Sequence, residues 1–201
     1  ITAIGSIFLQ SAVNSLGSLY VAGVAAGSKL FQLLGCPYDA MGATMATYCG
    51  QNVGAVKLDR LGKGVRACSL LGLIYAIVAF GSMLLFAPQG AMLFLDPTEP
   101  EITTLVALTA QYVRTLTAFF FPLALVNIVR FSIQGMGFSS FAILAGVCEM
   151  AARAFVGFCL VPVFGFLPAC FASPLAWICA DLFLVPAFGQ CLKKLKRTFG
   201  E

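Results

Sequence analysis

Two carboxylates inside apolar runs have no oppositely charged residue near them along the chain: Asp39, two residues after Pro37 and next to Tyr38, and Asp181. Pro37 has no N–H to offer the carbonyl of Leu33, so that carbonyl is left for another partner. A carboxyl beside it, in an apolar stretch, can carry a proton, ligate a cation together with the freed carbonyl, or make a structural hydrogen bond. Both Asp39 and Asp181 are therefore candidate ion- or proton-coupling residues. Glu149 and Arg153 are four apart and share a helix face. They read as a self-neutralising pair that could also line a polar cavity and bias the charge of what enters it. Gln10, Asn14, Gln32 and Tyr38 supply uncharged polar groups for contacts between helices or to a ligand. Arg114, Arg130 and Lys29 are long enough to reach an interface and are expected to act as anchors there. The sequence has no histidine, which removes the commonest metal ligand and catalytic base. Its eight cysteines show no C-x-x-C spacing and read as small apolar residues, so no metal site or cofactor follows from them.

These groups must be positioned by helices in lipid. Of the 201 residues, 60% are hydrophobic and only 10% charged, with a mean hydropathy of +0.97. A soluble domain carries roughly 25% charge, and a surface this apolar is cheap only against hydrocarbon. The charges come in clusters. Residues 1–28, 67–95 and 154–180 carry none, and each stretch can hold a crossing of about 20 residues. Breakers divide the chain into six helical segments, 1–16, 19–54, 64–87, 102–134, 139–161 and 168–190, followed by a basic tail at 191–201. The chain opens inside an apolar segment at Ile1 with no basic region before it, so it reads as starting partway along a longer protein, without a signal peptide.

Basic residues set the expected orientation. The link after the second segment has Lys57, Arg60, Lys63 and Arg66, and the tail has Lys193, Lys194, Lys196 and Arg197. The link around Asp96, Glu99 and Glu101 has no basic residue. Six crossings put both basic stretches, and both chain ends, on the cytoplasmic side of a plasma or inner membrane. Gly42, Ala46, Gly50 and Gly54 recur every fourth residue, and Gly23 and Gly27 share that spacing, so the second segment should pack closely on its neighbours. Pro37 and Pro122 should kink their helices and are candidate hinges. The expected surroundings are a lipid bilayer, and no nucleic-acid partner is implied.

The run Ala46-Thr-Tyr-Cys-Gly-Gln-Asn-Val-Gly-Ala-Val-Lys-Leu-Asp-Arg60 resembles the matching segment of multidrug and toxic compound extrusion (MATE) transporters. Gln10-Ser-Ala-Val-Asn-Ser-Leu-Gly17, Gln134-Gly-Met-Gly137, the Glu149 to Arg153 spacing and Ser173-Pro-Leu-Ala-Trp177 are similar to features of that family's second half. The resemblance implies one six-helix, all-α lobe of a twelve-helix antiporter, here the C-terminal lobe. It implies an N-terminal lobe as partner, small organic and often cationic substrates, and Na+ or H+ as the coupling ion, with Na+ conceivable at Asp39. Some branches carry an acidic residue in the first helix of this lobe; residues 1–16 have none, which shifts the coupling role to Asp39 or to the other lobe. Val56 stands where glycine is frequent, a minor departure.

Two rival readings stay open. Tyr38-Asp39 resembles the first active-site motif of presenilin-type intramembrane aspartyl proteases, with Asp181 as the second carboxylate, although no G-x-G-D precedes it. Such a dyad needs its carboxylates close enough to share a proton. A non-transporting scaffold subunit would instead be packed solid, without a polar cavity.

Overall fold

The computed structural model describes residues 2–199, all helices and short turns with no strand among them. The elements are α1 (Thr2–Asn14), α2 (Ser18–Gly54), α3 (Asp59–Met92), α4 (Ile102–Ala118), α5 (Phe120–Gly135), α6 (Ser139–Phe155), a π-helical turn (Val156–Leu160), α7 (Val161–Phe164) and α8 (Phe166–Phe199). Ile1 and the last two residues of the expected 191–201 tail lie outside the described residues. α2, α3, the stretch Ser139–Phe164 and α8 are each long and apolar enough to cross a membrane. α4 and α5 make a fifth such span if the bent pair is counted as one, and α1, at 13 residues, is shorter than a crossing needs.

Glycine contacts fix how the helices run. Gly23 faces Leu108 and Thr109 of α4, Gly27 faces Tyr112, and Gly42 faces the Phe131 ring of α5. The contacts advance together, so α2 runs parallel to α4 and α5. Against α3 they run in opposite senses, with Gly90 at Leu30, Gly72 at Met41 and Gly64 at the Tyr48 ring. α1 and α6 are again parallel, with Gly5 on Met150 and Gly157 on Phe8 and Ala12. That alternation is what successive crossings demand. At one end of the bundle Lys196 Nζ donates to Asp59 Oδ1 at 2.7 Å, joining the two basic stretches. The outer faces are a belt of exposed Leu70, Ile74, Ile77, Leu85, Phe158 and Leu182 side chains, suited to lipid.

Prolines behave in three ways. At Pro122 the expected continuous helix is broken: Phe119 leaves helical geometry at φ −109, ψ 22, and α4 and α5 meet at 52°. Pro122 then sits in the first turn of α5, where its missing N–H costs nothing. Pro37, in contrast, lies within an unbroken α2; next to its gap, the Tyr75 hydroxyl donates to the carbonyl of Leu34 at 2.9 Å. Pro88 was expected to end the third segment, yet α3 continues to Met92. The reason is Arg114. Its Nη2 donates to the carbonyl of Leu84 at 2.9 Å, the one that Pro88 cannot serve, and its Nε donates to Met83 at 3.2 Å. Arg114 is therefore a plug for a helix defect rather than an interface anchor. The last two elements also differ from expectation. The fifth segment extends through the π-helical turn to Phe164, Gly165 turns the chain at φ 71, and the expected tail continues α8 as far as Phe199.

Candidate functional site

A cavity of about 590 Å³ opens among α1, α2, α5, α6 and α8, with Tyr112 of α4 at its wall. α2 contributes one face, because Ser28, Gln32, Gly35 and Asp39 follow helical spacing and all reach it. Asp39 is exposed there. α1 contributes Ser6 and Gln10, and α5 contributes Asn127 and Arg130. Glu149 and Arg153 come from α6, and Ser173 and Trp177 from α8. Phe31 stacks on Trp177 with ring centroids 5.8 Å apart and planes 14° from parallel, which gives the cavity a flat aromatic wall.

The same cavity is lined by a charged cluster. The Glu149 carboxylate accepts from Arg130 Nη2 through Oε1, and Arg153 Nη1 lies 3.3 Å from Oε2. Glu149 is 3% and Arg153 8% exposed. One carboxylate thus serves two guanidinium groups, and Arg130 Nε is buried without a hydrogen-bond partner. Arg130 does not snorkel to an interface as the sequence suggests. The register of α5 on α2 points it inward, where Glu149 can meet it and lipid could not.

The remaining sequence candidates separate. Gln10, Gln32, Asp39, Glu149 and Arg153 are brought together on the cavity. Asn14 is not among its lining residues; it is tied to Gln10, whose Nε2 donates to Asn14 Oδ1 at 3.1 Å. Tyr38 turns away completely. One residue rotates about 100° around a helix, which takes Tyr38 from the cavity edge at Asp39 toward α3 and α5. It is 0% exposed and packs edge-on against Tyr75 and Phe120. Asp181 lies on α8, half-buried and outside the lining; its Oδ1 is buried without a partner, and the charge it faces is Arg130. The cavity therefore does not pair Asp39 with Asp181, and the protease dyad finds no support. A polar cavity is likewise what a solid scaffold would lack.

Sequence reasoning missed Ser28, Asn127, Tyr112, Ser173 and Trp177 as lining residues. The helical spacing of Ser28 with Gln32 and Asp39 was a usable signal. Nothing in the sequence alone links Arg130 to Glu149.

The geometry matches known proteins. The MatE family model matches residues 1–159. The chain belongs to the MatE family. Among solved structures, the outward-facing conformation of a multidrug resistance MATE family transporter of the MOP superfamily aligns with a TM-score of 0.85 at 16% identity, over 98% of this chain and 44% of that one. The inward-facing conformation of such a transporter gives 0.78 at 18%, over 98% and 48%. A MOP superfamily transporter from Pyrococcus furiosus gives 0.76 at 18%, over 91% and 40%. A comparison with curated proteins returned no match. The chain spans less than half the length of these solved MATE structures and makes one lobe of their fold.

Proposed function

We propose that this lobe is the C-terminal half of a secondary active multidrug efflux antiporter. Partnered by an N-terminal six-helix lobe, it would export organic, often cationic, compounds in exchange for Na+ or H+ by alternating access. It would lie in a plasma or inner membrane with both of its ends cytoplasmic. The observation that carries this reading is the cavity itself. It combines an aromatic wall at Phe31 and Trp177 with an exposed carboxylate at Asp39, a fitting surface for an organic cation. On this reading Asp39 would exchange that cation for Na+ or a proton, which is the competition an antiporter needs. Asp181, facing Arg130 behind the cavity, is the second coupling candidate.

The bend between α4 and α5 supplies a structural element for rocking motion. Its 52° break at Phe119 has Pro122 just beyond it and Arg130 further along α5, so movement at the break would carry Arg130 with it. The test is efflux from proteoliposomes containing the protein with both lobes, driven by an imposed Na+ or pH gradient. Asp39→Asn should abolish gradient-driven efflux of a cationic dye while the melting temperature stays at the wild-type value. Unchanged efflux would remove Asp39 from the coupling step, and no efflux by the wild type under either gradient would overturn the antiporter reading.

A further inference from the structure

Arg114 carries a charge that no carboxylate neutralises among the described residues. Its Nε donates to the carbonyl of Met83 and its Nη2 to that of Leu84, both neutral partners, and Nη1 makes no hydrogen bond among the described residues. The side chain is half-buried and lines a second cavity, of about 490 Å³, between α3 and α4, together with Pro88, Gln111 and Thr115. No acidic residue lines that space; Asp96, Glu99 and Glu101 line a different cavity with Lys29. Arg114 is two positions after Tyr112, which is about 200° around α4, and Tyr112 stands at the wall of the polar cavity. Arg114 therefore points away from that cavity, beside the exposed Leu84 and Leu85 of the lipid-facing belt. Its depth is also set. α3 is 34 residues long, about 51 Å against about 30 Å of hydrocarbon, so about 10 Å of helix projects on each side when the excess is shared. Leu84 lies eight residues before the end of α3 at Met92, about 12 Å along the axis. The guanidinium bound to it sits where hydrocarbon gives way to headgroups.

We propose that the groove between α3 and α4 is a phospholipid site in which Arg114 holds the lipid phosphate. A phosphate offers acceptors to Nη1 and Nη2 together, the pairing that suits a planar guanidinium. Gln111, exposed beside Arg114, adds amide donors, while Val106 and Ala107 supply apolar surface for an acyl chain. An ordinary arginine at this level can swing its long side chain into water. Arg114 cannot do so without reopening the carbonyl gap that Pro88 creates, so the counter-charge has to come to it. An anionic headgroup is favoured over one bearing choline, because the groove has no carboxylate to meet a second cation. The site is separate from the polar cavity, and it stands or falls independently of what the protein transports.

The test is native mass spectrometry of the protein with both lobes, titrated in detergent with short-chain phosphatidylglycerol and, in parallel, with phosphatidylcholine of the same chains. The wild type should bind phosphatidylglycerol the more tightly, and millimolar inorganic phosphate should not displace it. Removing Arg114 alone also reopens the helix defect. The substitution is therefore made in a Pro88→Ala background, which gives the Leu84 carbonyl its backbone donor again. In that background Arg114→Gln should melt like its parent yet bind phosphatidylglycerol about tenfold more weakly, the loss of one charge-assisted contact. Equal binding by the two proteins would overturn the proposal and leave Arg114 a helix plug alone. Displacement by inorganic phosphate would overturn the lipid assignment in favour of a soluble anion. No preference of the wild type for phosphatidylglycerol over phosphatidylcholine would overturn it as well, whether or not any variant folds.

Discussion

Helices α2 and α5 make a seam at one level and a cavity wall at another. At the seam a Cβ placed on Gly135 would lie 2.3 Å from the carbonyl oxygen of Ala46, so the two backbones touch and no larger residue fits. A few turns earlier along both helices, Gln32 and Asp39 on α2 and Asn127 and Arg130 on α5 line about 590 Å³ of open space. What distinguishes the regions is side-chain size and charge, since the helices are the same. In lipid there is no hydrophobic force pulling helices together, so close approach has to come from small residues and dispersion contacts. Where charged side chains replace glycine and alanine, the helices keep their spacing and enclose polar space.

The largest effect should come from the cavity side. Glu149→Gln leaves the buried Arg153 and the partly buried Arg130 without their shared counter-ion, and thermal unfolding in detergent should show a loss of about 3–5 kcal/mol. A wild-type melting curve would mean that the cluster is hydrated and that cavity and seam are alike in their tolerance of substitution. At the seam, Gly135→Ala must displace Ala46 backbone rather than a flexible side chain and should cost about 1–3 kcal/mol. Gly50→Ala sharpens the point: its nearest neighbour, the carbonyl oxygen of Gly135, is at an ordinary 3.4 Å, and the change should stay within about 0.5 kcal/mol. If both substitutions melted alike, the seam would not be the tight contact described.

The end of the seam offers a gain. Val56, just past α2, sits at φ 53, in the left-handed region that a β-branched residue avoids. Val56→Gly should therefore stabilise by about 1 kcal/mol, read as a raised melting temperature. The departure from the family's frequent glycine, minor on paper, is the one positive-φ residue other than glycine among those described. The smallest effect belongs to the exposed contact between Asp59 and Lys196. Lys196 holds the Asp59 carboxyl below the ordinary carboxylate range. The contribution is therefore present above that range and lost as pH falls through Asp59's lowered value. NMR titration should find the Asp59 carboxyl returning to the ordinary range in Lys196→Ala, with the melting temperature barely changed. An unmoved titration would mean that the pair does not form in solution.

Much of the fold was legible because lipid imposes simple rules on sequence. Charge-free runs, the breaks at Gly17 and Gly137, and the small-residue stripe all follow from the cost of unsatisfied backbone and bare charge in hydrocarbon. The stripe did find partners, at Phe131 and Gly135, except that Gly54 meets nothing and only ends its helix. Errors arose where one helix repairs another. Pro88 looked like a stop because its missing N–H is visible in sequence, whereas the arginine that serves Leu84 comes from a different helix. Tyr38 reads as a cavity residue beside Asp39, but its partners Tyr75 and Phe120 come from other helices and hold it in the core.

The sequence by itself determined that this chain threads a bilayer as helices, which of those helices must pack closely, and that a few ionisable groups lie inside. Those are properties of single segments in a given solvent. Only the tertiary structure decided that Arg130 meets Glu149, that Asp181 stays outside the cavity lining, and that Asp39 shares the cavity with Arg130 and Arg153 without pairing with either. Those relations depend on the register and rotation between helices distant in sequence, which packing against neighbours settles and no local pattern encodes.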